Sequence, residues 1–167
     1  QEFKREDELE LEEALEDGRN SMSEEKEEFY LFWGGLFSQW AKVDMEIDGE
    51  TYNCCEQYMM AEKARLFEDH EVLDQVMAIK DPRKQKALGR KVKNFDQQKW
   101  EDIARDVVYK GNYAKFTQNE NCLEELYSSI GTTIVEASPY DVIWGIGLAP
   151  DDPKAKDRSN WKGTNWL

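Results

Sequence analysis

The alternation of apolar and polar positions changes character at Phe29. Residues 1–28 are mostly charged, with Leu9, Leu11 and Leu15 as the main apolar points. Such a segment cannot bury enough apolar surface to offset the entropy of ordering it. It is expected to be a disordered or marginally helical tail. Whether Met22 is a native start, with residues 1–21 added ahead of it or forming a linker, is left open by the sequence. From Phe29 the run FYLFWGGLFSQWAKVDMEIDGETYN is aromatic and strand-like, and Asp48-Gly49 predicts a tight turn between short strands. Asn53 is placed to cap a helix from about Cys54 to Phe67. Further helices are predicted over HEVLDQVMAIK, ending before Asp81-Pro82, and over PRKQKALGRKV, with Pro82 in the first turn.

A longer helix starts at Asn94 or Asp96. Its apolar stripe is Trp100, Ile103, Ala104, Val107, Val108, Gly111 and Ala114. Gly111 in mid-helix costs about 1 kcal/mol relative to Ala, which points to a close approach by another backbone or a ligand. NENCLEELYSSIG reads as a last helix closed by Gly131. TTIVEA and DVIWGIG read as short strands, and the end of the chain is loop-rich. Helices outnumber strands without regular βαβ alternation. The expected architecture is α+β, a single, mainly helical domain over residues 29–167 with a few short strands.

Composition narrows the classes. No run of about 18 apolar residues offers a membrane span, and no hydrophobic leader opens the chain. The three cysteines lack paired spacing, which suits a reducing compartment, and a cytoplasmic location is expected. With His70 as the one histidine, a Cys/His zinc set is not expected. No metal or other cofactor is called for. Thirteen acids and four bases fall in residues 1–28, so most of the −14 net charge belongs to the tail. The acidity therefore does not exclude a phosphate-bearing ligand from the folded part. Gly145 to Gly147 (GIG) lacks the third glycine and following helix of a dinucleotide fingerprint.

The stretch TYNCCEQYMMAEKA places Glu56, Met60 and Lys63 on one helical stripe. Their side chains can converge on a small molecule; a plain surface pair is the usual alternative. Six tryptophans are available, and core packing accounts for most tryptophans. Trp33 and Trp144 sit beside glycines, Gly34 and Gly145. Such a neighbour lets a flat ligand reach both ring and backbone. RKQKALGRKVK carries six bases in eleven positions, with Arg83, Lys86, Arg90 and Lys93 forming one stripe. That stripe is either a solvated face or a phosphate contact, and Lys115 is a possible further cation. Breaking an N-glycosidic bond needs charge stabilisation at the anomeric carbon and a proton for the departing base. Glu56 can supply either, and a desolvated Lys63 can act as a nucleophile. Asp106 in ARDVV is a further candidate acid, as reasonably read as a salt-bridge partner.

Taken together, FWGGLFSQW, TYNCCEQYMMAEKARLF, LGRKVKNFDQQKW, ARDVV, AKFTQN, VEASPYDVIWGIGL and WKGTNWL resemble the NADAR or YbiA-like family, in order and spacing, from Phe29 to Leu167. The resemblance implies N-glycoside hydrolysis. Some members cleave ribosylamino-pyrimidine phosphate intermediates of riboflavin synthesis, and others remove ADP-ribose from guanine in nucleotides or DNA. It puts the family's active-site glutamate on Glu56, its pocket tryptophans on Trp100 and Trp144, and its lysine on Lys63. The expected site thus comprises Glu56, Lys63 and Asp106 for catalysis. Trp33, Gly34, Ser38, Arg90, Trp100, Lys115 and Trp144 are expected to bind substrate. The expected partner is a small-molecule nucleotide or ADP-ribosyl substrate, with ADP-ribosylated nucleic acid as a further one; a catalytically silent nucleotide-binding module is the alternative of another class. Gly35, Gln39-Trp40 and Gln57 depart from the family's usual residues and are expected to touch the pocket.

Overall fold

The computed structural model describes residues 26–167; the expected tail lies outside the described residues up to position 25. Four strands and five helices follow in order: β1 (Phe29–Phe32), β2 (Met45–Ile47), β3 (Glu50–Tyr52), α1 (Cys55–Leu66), α2 (His70–Ala78), α3 (Pro82–Gly89), α4 (Gln97–Gln118), α5 (Glu120–Ser128) and β4 (Thr133–Glu136). Two 3-10 turns, Pro153–Lys156 and Arg158–Asn160, precede the C-terminus. The fold is α+β and mainly helical. Residues just before Phe29 already join the fold: the Thr133 N–H donates to the Glu28 carbonyl (2.8 Å) and the Thr133 hydroxyl to Glu27 (2.7 Å).

α1 is the central element, with α2, α3 and α4 packed around it. Its first turns are buried almost all round, Cys55 to Ala61 without interruption, so it carries no clean amphipathic face. Such a helix belongs to a core, not a surface. The cap is Cys54, whose Sγ accepts from the Gln57 N–H, and not Asn53. Asn53 instead bridges to α3 and the turn before it, donating to the Lys80 carbonyl and accepting from Gln85. Asp69, Asp81 and Asp96 cap α2, α3 and α4 through their carboxylates.

The apolar stripe of α4 is buried as its period requires. Gly111 faces the Tyr58 ring, where an added Cβ would stand 3.0 Å from Cδ1. The close approach is therefore by a side chain of α1, not by a backbone or a ligand. β2 and β3 form the hairpin, with Asp48 (φ 51) and Gly49 (φ 84) both left-handed at the turn.

β1 and β4 pair in parallel, Phe32 opposite Glu136, although the five helices of the described residues lie between them in sequence. They cover a second, smaller core of Val135, Ala137, Ile146, Leu148 and Ala155. DVIWGIG is not a strand. The Asp141 carboxylate accepts from the Ile143 and Trp144 N–H groups (2.9 and 2.8 Å), which turns the chain where a ladder would have kept it straight. Gly145 and Gly163 make this turn possible. A Cβ on Gly145 would stand 2.9 Å from the Glu136 and Asp141 carbonyl oxygens, and one on Gly163 would stand 2.2 Å from the Gly145 carbonyl oxygen. Gly145 thus serves internal backbone packing and not ligand approach. Gly163→Ala is expected to lower stability by about 1–3 kcal/mol, read as a fall of several degrees in Tm. An unchanged Tm would show that the C-terminal strap can slide without cost.

Candidate active site

The packing of α3 on α1 and the two crossing loops leaves a cleft of about 420 Å³, a size that suits a nucleotide-like ligand. α1 presents Glu56, Met59, Met60 and Lys63 to it, the i, i+3, i+4, i+7 positions of one face. α3 adds Lys86, and Arg90 follows at its C-cap. That helix can approach closely because Gly89 has no side chain: a Cβ there would fall 2.0 Å from Met60 Sδ. Trp100 and Val108 of α4 form part of the wall. The loop after β1 brings Trp33, Ser38, Gln39 and Trp40, and the segment from the end of β4 brings Glu136, Ser138, Tyr140, Asp141 and Trp144.

Glu56 is 6% exposed. Burial pushes its carboxyl up to about 7, against the pull of Lys86, Lys63 and the Trp40 indole; Asp141 pushes the same way as burial. An acid tuned to neutrality can both hold and accept a proton at working pH. The Glu56 N–H donates to the Gln39 carbonyl (3.0 Å), which ties the first turn of α1 to the Trp33–Trp40 loop. Lys63 is half-buried, and desolvation lowers its pKa, with Glu56 opposing and Arg90 assisting. Its Nζ lies 4.5 Å from the centre of the Phe95 ring. Burial raises the Cys54 and Cys55 thiols to about 11 and about 12, so neither supplies a thiolate near neutrality.

Of the expected site residues, Trp33, Ser38, Glu56, Lys63, Arg90, Trp100 and Trp144 meet in this cleft. Three do not. Gly34 is exposed and away from the lining. Asp106 is exposed and borders a separate surface groove with Arg105 and Trp166. Lys115 is fully buried behind the loop, where its Nζ donates to the Leu36 and Ser38 carbonyls (2.7 and 3.1 Å). It positions the loop and is not open to a ligand. Among the positions that depart from the family pattern, Gln39 and Trp40 line the cleft, whereas Gly35 and Gln57 do not. Gln57 turns the other way, donating to the Val76 carbonyl and accepting from the Asn53 N–H.

Sequence reasoning missed Glu136, Asp141 and Tyr140 as cleft residues, and took Lys86 only as one member of a stripe. Trp33 and Tyr140 approach with ring centroids 5.7 Å apart, and Tyr140 is 85% exposed. They give the mouth an aromatic edge.

Comparison with known proteins decides the family. The NADAR domain model matches residues 26–167. The chain belongs to the NADAR domain family. It is 41% identical over 137 residues to N-glycosidase R617 of Acanthamoeba polyphaga mimivirus, covering 79% of this chain and 81% of that one. It is 42% identical over 118 residues to Protein irg-1 of Caenorhabditis elegans, covering 70% of this chain but only 56% of irg-1. The NMR structure of Escherichia coli YbiA superimposes with a TM-score of 0.65 at 25% identity, over 73% of this chain and 74% of YbiA. The relatives named N-glycosidase place this NADAR domain in a family of hydrolases acting on N-glycosyl compounds. Among its described residues no helix is long and apolar enough to cross a membrane.

Proposed function

We propose that the protein hydrolyses the N-glycosidic bond between ADP-ribose and guanine, in nucleotides or DNA. The observation that carries this reading is a buried carboxylate, Glu56, set between cations and indole rings in a single cleft. Lys63, Lys86 and Arg90 suit a pyrophosphate. Trp33, Trp40, Trp100 and Trp144 offer flat apolar faces to a purine and a sugar. N-glycosidase R617 supports the reaction class.

In the reaction, the bond from the anomeric carbon to the base nitrogen breaks and its electron pair leaves with the nitrogen, which must take up a proton. Positive charge grows on the sugar carbon and ring oxygen, and a carboxylate beside them stabilises it. Water then adds to the carbon and gives up a proton. Glu56 is suited to face the sugar, since Lys63 and Lys86 help to keep it ionised. With an opened sugar ring, the Lys63 amine can instead add to the carbon–nitrogen double bond and expel the guanine amine. Water hydrolyses the resulting lysine imine.

Borohydride added during turnover is expected to trap this imine as a stable mass increase on the wild type and not on Lys63→Ala. An adduct on the variant would move the nucleophile to another residue. The substrate is tested by chromatography. ADP-ribosylated guanosine and DNA are offered alongside the ribosylamino-pyrimidine phosphate. Release of ADP-ribose is expected, and cleavage of the pyrimidine alone would overturn the substrate assignment.

A further inference from the structure

Glu136 ends β4 directly opposite Phe32 of β1. Its backbone is held on every side. The N–H donates to Asn165 Oδ1 (3.0 Å), the carbonyl accepts from the Ile146 N–H (3.0 Å), and the next N–H, of Ala137, donates to the Phe32 carbonyl (2.7 Å). Asn165 is itself fixed, its N–H on the Gly145 carbonyl and its side-chain amide on the Ile134 carbonyl. Strand alternation sends Val135 into the small core and Glu136 the opposite way, into the cleft.

The side chain so presented has no partner. Among the described residues, Glu136 Oε2 is the one buried side-chain nitrogen or oxygen without a hydrogen bond. Native proteins pair the large majority of buried polar groups, and an unpaired one calls for an explanation, a catalytic role among them. Asp141, the neighbouring carboxylate, differs: its Oδ1 is engaged by the Ile143 and Trp144 N–H groups and holds the Trp144 turn. The charged groups lining the cleft around Glu136 are Asp141 on its own segment, Glu56 and Lys63 on α1, and Lys86 and Arg90 at α3.

We propose that Glu136 is a second catalytic carboxyl group, which donates the proton taken up by the departing base nitrogen while Glu56 faces the sugar. This rests on the N-glycosidase reading of the cleft. As the bond from carbon to nitrogen breaks, its electron pair passes to the nitrogen and the Glu136 proton follows. The carboxylate left behind is reprotonated by the water that adds to the sugar carbon. Atoms and charge balance without any further reactant. The division of labour follows from surroundings. Glu56 has Lys86 and Lys63 as its largest charged influences, whereas the largest for Glu136 is Asp141, which keeps its proton on. Burial first, then Asp141 and Glu56, push the Glu136 carboxyl up to about 7 against the pull of Lys86.

The test compares wild type, Glu136→Gln and Glu136→Asp on whichever of the two candidate substrates the wild type cleaves. Product binding is followed by titration with ADP-ribose or ribose 5-phosphate, according to that substrate, and Tm is followed from pH 5 to 9. The expected result for Glu136→Gln is a kcat lower by about 10²–10⁴-fold. Product affinity should stay within about threefold, and Tm at pH 8 should equal or exceed that of wild type, because an unpaired buried carboxylate has been removed. The alkaline fall of the wild-type kcat against pH should vanish in this variant, and Glu136→Asp should restore part of the rate. A Glu136→Gln enzyme within threefold of wild-type kcat overturns the proposal. So does a loss of rate accompanied by a lower Tm and lost product binding, which would mark a structural residue. If the pyrimidine is the substrate cleaved, the ADP-ribosyl reading fails while the Glu136 comparison stands on the other substrate.

Discussion

Glu56→Gln is expected to lower turnover by about 10²–10⁴-fold while the protein remains folded and becomes more stable at alkaline pH. The swap preserves shape and leaves a hydrogen-bonding amide beside Lys63, Lys86 and the Trp40 indole, so the cleft has no reason to collapse. What it removes is a charge. The Glu56 carboxyl stands at about 7 in the folded protein against an ordinary 4.5, chiefly because it is buried. Below pH 4.5 the group is protonated whether the chain is folded or not, and it makes no difference to stability. As the pH rises from there to about 7, the unfolded chain releases its proton more readily than the folded one. Wild-type stability therefore declines through that window, by about 3 kcal/mol for a shift of this size. Glutamine has no such window. The variant should match wild type near pH 4 and exceed it at pH 8 in denaturant titrations. Turnover near that of wild type would remove Glu56 from the chemistry. Equal stability at pH 8 would mean that the wild-type charge is already well compensated.

The distinction between what was legible in the chain and what was not follows the range of the interactions. Glu56, Met60 and Lys63 could be placed on one face because a helical period is a local property, and the structure puts that face against the cleft. The same period could have excluded Asp106. It lies two positions from both Ala104 and Val108, about 200° around the helix from the buried stripe. It also bears on Lys115, which follows Gly111 by four and therefore belongs to the buried stripe, not to solvent. The motif AKF suggested a cation for the ligand; position on the helix turns it into a cation for the loop. Glu136 had no comparable local signal. Its direction depends on a parallel pairing with β1 more than a hundred residues earlier and on Asn165 near the C-terminus. The failed strand DVIWGIG is a case of side-chain chemistry overriding propensity, because Asp141 offered the Ile143 and Trp144 N–H groups a nearer partner than any strand.

Lys115→Ala is expected to have the largest effect on stability, about 3–5 kcal/mol, and to damage the cleft without touching a lining residue. Lys115 is 0% exposed, and its Nζ bonds two carbonyls of the loop that carries Trp33, Ser38, Gln39 and Trp40. Truncation leaves both acceptors unpaired, at about 1–3 kcal/mol each, and opens a void where the aliphatic stem packed. Other ties remain: the Gln39 carbonyl on the Glu56 N–H, the Gln39 amide on Asn112, and the Trp40 N–H on the Ser38 hydroxyl. The loop should therefore loosen and not detach, which predicts a raised KM together with a reduced kcat, since Glu56 shares the Gln39 tie. Lys115→Met separates the two contributions. It fills most of the volume but donates nothing, so it should recover the packing part of the loss and none of the loop order. Faster amide exchange over Leu36 to Trp40 in both variants, beside slower melting loss in Lys115→Met, is the expected pattern. If Lys115→Met equals wild type in Tm, exchange and KM, the two carbonyl bonds are dispensable and the loop is held by its contacts with α1 and α4 alone.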